Sequence, residues 1–180
     1  MTFDAITSDG RLWAVRYNGE DDNVLQKLFD NWNDVVWLRN FFTTHQNDLI
    51  YYGIRDLNTA IFDTIEDSEN LESLFMNMPL DVDLNTIFRP LSNYTRETYL
   101  EKEKAKITKR KRHDSWLRIY AIKLNPNIFI ITGGAIKLTA TMQERTHTTQ
   151  ELVKIEQVRR FLIDNSIVDE FGFEDYLREL

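Results

Sequence analysis

The chain has 180 residues, a formal net charge of -7 and no cysteine. That length suits one domain with its own buried core, and the missing thiols exclude a disulfide framework and a thiolate metal site. No stretch reaches the roughly 18 apolar residues of a membrane span, and the opening Met1-Thr2-Phe3-Asp4-Ala5 has neither the basic nor the apolar region of a secretory leader, so a cytoplasmic chain with no membrane partner is expected.

In chain order, Thr2 to Ile6 and Arg11 to Tyr17 flank the turn Ser8-Asp9-Gly10 and read as a β-hairpin. After Asn18-Gly19 the period changes. Val24, Leu25, Leu28, Phe29 and Trp32, then Val35, Val36, Leu38 and Phe42, recur at helical spacing, with Asp21 or Asp22 as the N-cap. Further helices are expected over Tyr51 to Phe62 and Glu69 to Met78, the second stopped by Pro79. Thr95 to about Arg112 holds no Gly or Pro and reads as a long helix that grows basic toward its end.

The clearest hairpin follows. Ser115 to Leu124 and Ile128 to Thr132 are rich in β-branched and aromatic residues and are joined by Asn125-Pro126-Asn127. Period-2 alternation places Arg118 and Tyr120 on one sheet face. Gly133-Gly134 is expected to bend or bulge out of the second strand and to let another chain come close. Thr149 caps a helix over Gln150 to about Asp164, and Ile167 to Leu180 is either a short terminal helix or a docking tail. The resulting fold class is α+β over residues 1–180 as a single domain. A small antiparallel sheet, made of the N-terminal and C-terminal hairpins, packs with several helices; a helical layer is added at about 49–112 and an acidic extension at about 166–180.

Charge is unevenly placed. Lys102, Lys104, Lys106, Lys109, Arg110, Lys111, Arg112, Arg118 and Lys123 face only Glu103 and Asp114 between Lys102 and Lys123, a local +7 on a remainder of -14. Such a basic face on an acidic body suits a polyanion, although a run of charge is often no more than a solvated surface. Lys106, Lys109, Arg110, Lys111, Arg112, Lys123 and Arg145 are the candidate RNA-binding cations.

Leu117-Arg118, the strand Ile128 to Ile131, Gly133-Gly134 with Lys137, the Thr-rich connector Thr139 to Thr149 and the helix opening near Glu151 together resemble the RelE/HigB-type toxins of toxin-antitoxin systems, in particular their phage-borne branch. The resemblance covers Trp116 to about Leu162. It departs from the pattern where Leu138 stands in place of a second Lys and where Leu49 to Leu100 is added. What it implies is a metal-independent endoribonuclease, an mRNA interferase acting on messenger RNA that is often ribosome-bound, with a cognate antitoxin as protein partner and no cofactor.

Such cleavage needs cations for the charged phosphorane and groups that take and give protons. Arg118 and Lys137 are the expected phosphate clamps, and His113, His147 and Tyr120 the candidates for proton transfer. Each has a plainer alternative: a loop histidine is commonly a solvated residue, and Tyr120 a packed or base-stacking aromatic. Arg118 stands between apolar neighbours, which is costly unless it has a partner. His45, His113 and His147 are too scattered for a metal signature. Glu101-Lys102-Glu103-Lys104 carries the Glu-X-Lys form of some metal-dependent nucleases, a triplet common by chance. The alternative to a ribonuclease is a non-enzymatic RNA-binding or protein-interaction module of a mobile element.

Overall fold

The computed structural model describes residues 1–91, 100–106, 114–124 and 127–179, with the side chain of residue 51 excepted. One six-stranded mixed sheet organises them, giving the expected α+β fold. β1 (Thr2–Ala5), β2 (Leu12–Arg16), β3 (Phe88–Pro90), β4 (Glu101–Ala105), β5 (Leu117–Leu124) and β6 (Ile128–Ile136) lie in the order β1-β2-β6-β5-β4-β3. Both expected hairpins are present. They join through a parallel β2–β6 contact, with Leu12 opposite Phe129, and every other pairing is antiparallel.

The helices are α1 (Val24–Asn33), α2 (Val35–Thr44), α3 (Gln46–Tyr51), α4 (Leu57–Met76), α5 (Leu84–Ile87), α6 (Thr146–Asp164) and α7 (Glu170–Arg178). Asn23, rather than Asp21 or Asp22, caps α1 by accepting from the N–H groups of Leu25 and Gln26. Asp34 ends α1 and caps α2, where its carboxylate accepts from Val36 and Trp37, so the long apolar period is cut into two helices at one acidic residue. The two helices expected on either side of residues 63–68 are instead one continuous α4. Its polar middle is buried: the Thr64 hydroxyl donates to the Ala60 carbonyl at 2.7 Å and accepts from the Trp116 indole N–H at 2.9 Å, so the helix needs no break there.

The helix expected over Thr95 to Arg112 is not found in the described part of that stretch. Glu101–Ala105 is strand β4, with Glu103 and Ala105 buried, because pairing along β5 overrides the helical propensity of a Glu/Lys-rich run. Among the described residues the middle of the chain is therefore helical only to Ile87 and then supplies two strands. Gly133 and Gly134 stay within β6, and the irregularity falls at Thr132, since Tyr120 pairs Gly133 while Ala121 pairs Ile131. Both glycines are closely approached, by groups of this same chain rather than by another chain. A Cβ on Gly133 would lie 1.9 Å from Glu151 Oε2 of α6, and one on Gly134 would lie 2.8 Å from Leu28 of α1. Hence α6 covers one face of the sheet, while α1, α2 and α4 cover the other with Phe29, Trp32, Phe42, Phe75 and Trp116.

Helix α6 starts at Thr146, a turn earlier than expected, since Thr148 bonds back to the carbonyls of Met142 and Arg145. Of the two options for the carboxyl end, α7 is a packed helix: Phe173 meets Phe3 and Trp13 at ring distances of 5.4 and 5.1 Å. Among the described residues no helix is long and apolar enough to cross a membrane.

Candidate nucleic-acid interface

Strand register assembles the site. Lys104 of β4 lies opposite Tyr120 of β5, and Arg118 lies opposite Ala135 of β6, so Lys104, Arg118 and Tyr120 share the face toward α6. Lys137 extends the same alternation one step beyond β6, its N–H donating to the Trp116 carbonyl at 2.8 Å. Three cations thus sit on adjacent chain segments around Arg118, at the diagonal spacing that long side chains bridge.

Their partners are main-chain oxygens. Arg118 Nη1 donates to the carbonyls of Ser115 (2.6 Å) and Leu117 (2.7 Å), Lys137 Nζ to those of Thr139 and Ala140 (both 2.6 Å), and Lys104 Nζ to that of Leu91 (3.2 Å). None forms an ion pair with a described carboxylate. Burial first, and then the repulsion of Arg118, holds both Lys104 and Lys137 below the usual ammonium range; burial likewise lowers Arg118. A group of like charges in a half-desolvated place is unfavourable by itself and receptive to an anion.

Two orphaned polar atoms lie behind the cations. Tyr120 is fully buried and its hydroxyl has no partner, and burial pushes its pKa upward. Glu151 Oε1 accepts from Lys154 Nζ at 2.6 Å, whereas Oε2, set over Gly133, has none; burial raises this carboxyl too. The field of Glu151 reaches both Tyr120 and Tyr17, whose hydroxyl donates to the Thr132 carbonyl at 2.6 Å.

The remaining expected site residues are placed elsewhere. His147 Nε2 meets the Ile136 carbonyl at 2.9 Å, and its ring packs on His45 (4.9 Å) and Phe41 (5.2 Å), which makes it part of a clasp between α6 and α2. Arg145 grips Asp48 in a bidentate pair of 2.8 and 2.5 Å, and that bond holds the Asp48 carboxyl below its usual range. Lys123 points to the opposite sheet face, where its ammonium bonds Asn85 Oδ1 at 2.6 Å and lies 5.8 Å from the Phe129 ring centre. Lys106 stands 3.9 Å from Asp114. His113, Lys109, Arg110, Lys111 and Arg112 lie outside the described residues. Among the described residues no group of three or more His, Asp or Glu side chains is arranged to hold a metal ion.

Sequence reasoning brought Arg118, Lys137 and Tyr120 forward and missed Lys104 and Glu151 as members of the same face. The period-2 alternation of Glu101-Lys102-Glu103-Lys104 was the available signal for Lys104, masked by its helix-forming composition. A pocket of about 400 Å³ opens at the turn between α3 and α4, lined by Tyr52, Ile54, Arg55, Asp56, Thr59 and Asp63. No family model matches the chain, and no curated protein or solved structure matches it significantly.

Proposed function

We propose that this chain is a cytoplasmic RNA-binding protein whose phosphate-binding surface is the face formed by Lys104, Arg118 and Lys137. One observation carries the proposal: three mutually repelling cations are gathered on adjacent strands and held by carbonyl oxygens, with no ion pair to a described carboxylate. A phosphate backbone relieves that repulsion, and charge-assisted bonds to phosphate oxygens are stronger than the neutral contacts they join. The basic run from Lys106 to Arg112, adjacent in sequence to β4, extends the positive charge along the same stretch of chain.

Binding of a labelled single-stranded RNA to the wild type and to Lys104→Gln/Lys137→Gln tests this directly. The double variant should bind far more weakly while still folding, as a cooperative thermal melt would show. Equal affinity would remove these cations from the interface.

A ribonuclease of the RelE/HigB type, with messenger RNA as substrate and an antitoxin as partner, is the second reading, favoured by the orphaned Tyr120 hydroxyl near Arg118 and the orphaned Glu151 Oε2 over Gly133. In such a reaction the 2'-oxygen loses its proton to a base and attacks the adjacent phosphorus, and the bond from phosphorus to the 5'-oxygen breaks as that oxygen gains a proton. Both groups are sealed in the described structure, so cleavage requires their exposure on binding. Incubating RNA with the wild type in a metal chelator, beside Glu151→Gln and Tyr120→Phe, decides the matter. Cleavage lost in either variant supports the enzyme, and intact RNA with the wild type leaves a binding protein.

A further inference from the structure

The pocket between α3 and α4 is separate from the cationic face but tied to it through one aromatic wall. Tyr52 forms that wall; its ring packs edge-on against Trp116, with centroids 6.0 Å apart at 85°. Trp116 is fully buried and fixed by its indole bond to Thr64 of α4, and it lies two residues from Arg118 in the chain leading into β5. Tyr52 lies within electrostatic reach of the Arg118 guanidinium.

The floor is preorganised. Asp56 caps α4 by accepting from the N–H groups of Asn58 and Thr59 and from the Thr59 hydroxyl, so the polar lining is set by the helix start. Gly53, at φ +74°, turns the chain over the pocket, and a Cβ there would meet nothing within 4 Å. Arg55 stands exposed on the rim. An aromatic wall, a floor whose Asp56, Thr59 and Asp63 side chains can meet the polar edge of a base, a rim cation and the half-buried Arg118 beyond the wall match a flat aromatic ring attached to a phosphate chain.

We infer that this pocket receives one unstacked base of the RNA strand, stacked on Tyr52, while Arg118 and Arg55 hold the flanking phosphates. The inference rests on the RNA-binding function proposed above and adds to it a preference for single strands, whose bases are free to leave a stack.

Affinities of the wild type, Tyr52→Ala and Tyr52→Phe for a short single-stranded RNA, for the same strand made wholly abasic, and for inorganic polyphosphate test it. Tyr52→Ala should weaken RNA binding by roughly 5- to 150-fold, the range that stacking one base on an aromatic ring supplies. Polyphosphate affinity should stay unchanged, which also controls for folding. Tyr52→Phe should bind as the wild type does, and the abasic strand should bind the wild type about as weakly as intact RNA binds Tyr52→Ala. Undiminished RNA affinity in Tyr52→Ala, or an equal loss for RNA and polyphosphate, would overturn the base pocket and leave the cationic face standing. Failure of the wild type to bind either polyanion would overturn the RNA-binding function and this inference with it.

Discussion

Glu103 shows at the scale of one residue how burial and charge set a measurable property. Its side chain is buried in β4 with Oε2 unpartnered, and burial, aided by Glu101, raises its carboxyl from the ordinary 4.5 to about 7. The folded chain therefore keeps a proton that the unfolded chain gives up. This contribution to stability is fully present below about pH 4.5 and is lost as pH rises through about 7. Glu103→Gln should accordingly gain on the wild type between about pH 5 and about pH 8 in thermal melts; parallel curves would show that Glu103 is ionised in the fold. The two glycines of β6 offer a second comparison. A Cβ on Gly134 falls 2.7 Å from the Arg118 carbonyl oxygen, which the sheet fixes, whereas one on Gly133 meets only the far end of the Glu151 side chain, which has torsions that can turn it aside. Gly134→Ala should cost about 1–3 kcal/mol as overpacking, and Gly133→Ala less, by chemical denaturation. The pairing of glycine with close approach was legible in the sequence. Which helix fills each space was not, because that depends on contacts between segments far apart in the chain.

Among the elements, those whose local signals agreed with their long-range contacts were legible. The two hairpins announce themselves through turn residues and β-branched runs, and the shared face of Arg118 and Tyr120 follows from alternation alone. β4 was hidden because Glu101-Lys102-Glu103-Lys104 favours a helix in isolation and becomes a strand only beside β5. That misassignment removed Lys104 from the candidate face. The division between α1 and α2 was missed for a related reason: the apolar period continues across it, and only the Asp34 side chain turns the chain. Removing that cap should therefore act on two helices at once. Asp34→Ala is expected to cost about 0.5–2 kcal/mol, a fall of a few degrees in melting temperature for a chain of this length, whereas Asp34→Asn should recover most of it.

Across the whole molecule, the segment from Lys102 to Lys123 carries +7 against -14 on the remainder, and the sheet turns part of that sequence asymmetry into a surface. The turn is selective. β5 sends Arg118 to one face and Lys123 to the other, and Arg145 and His147 serve the clasp between α6 and the helices of the opposite layer. A count of cations along the chain could not anticipate this sorting, because strand parity and distant partners decide it. The acidic remainder should repel a polyanion and confine it to the cationic face, so that binding depends steeply on salt.

The salt dependence of RNA affinity is the most direct test of that interface. Each phosphate neutralised on a single strand contributes about 0.7 to the slope of log affinity against log salt. If Lys104 and Lys137 each hold one phosphate, Lys104→Gln/Lys137→Gln should bind with a slope shallower than the wild type's by about 1.4. An unchanged slope, with both proteins folded, would contradict the assignment of phosphate binding to this face.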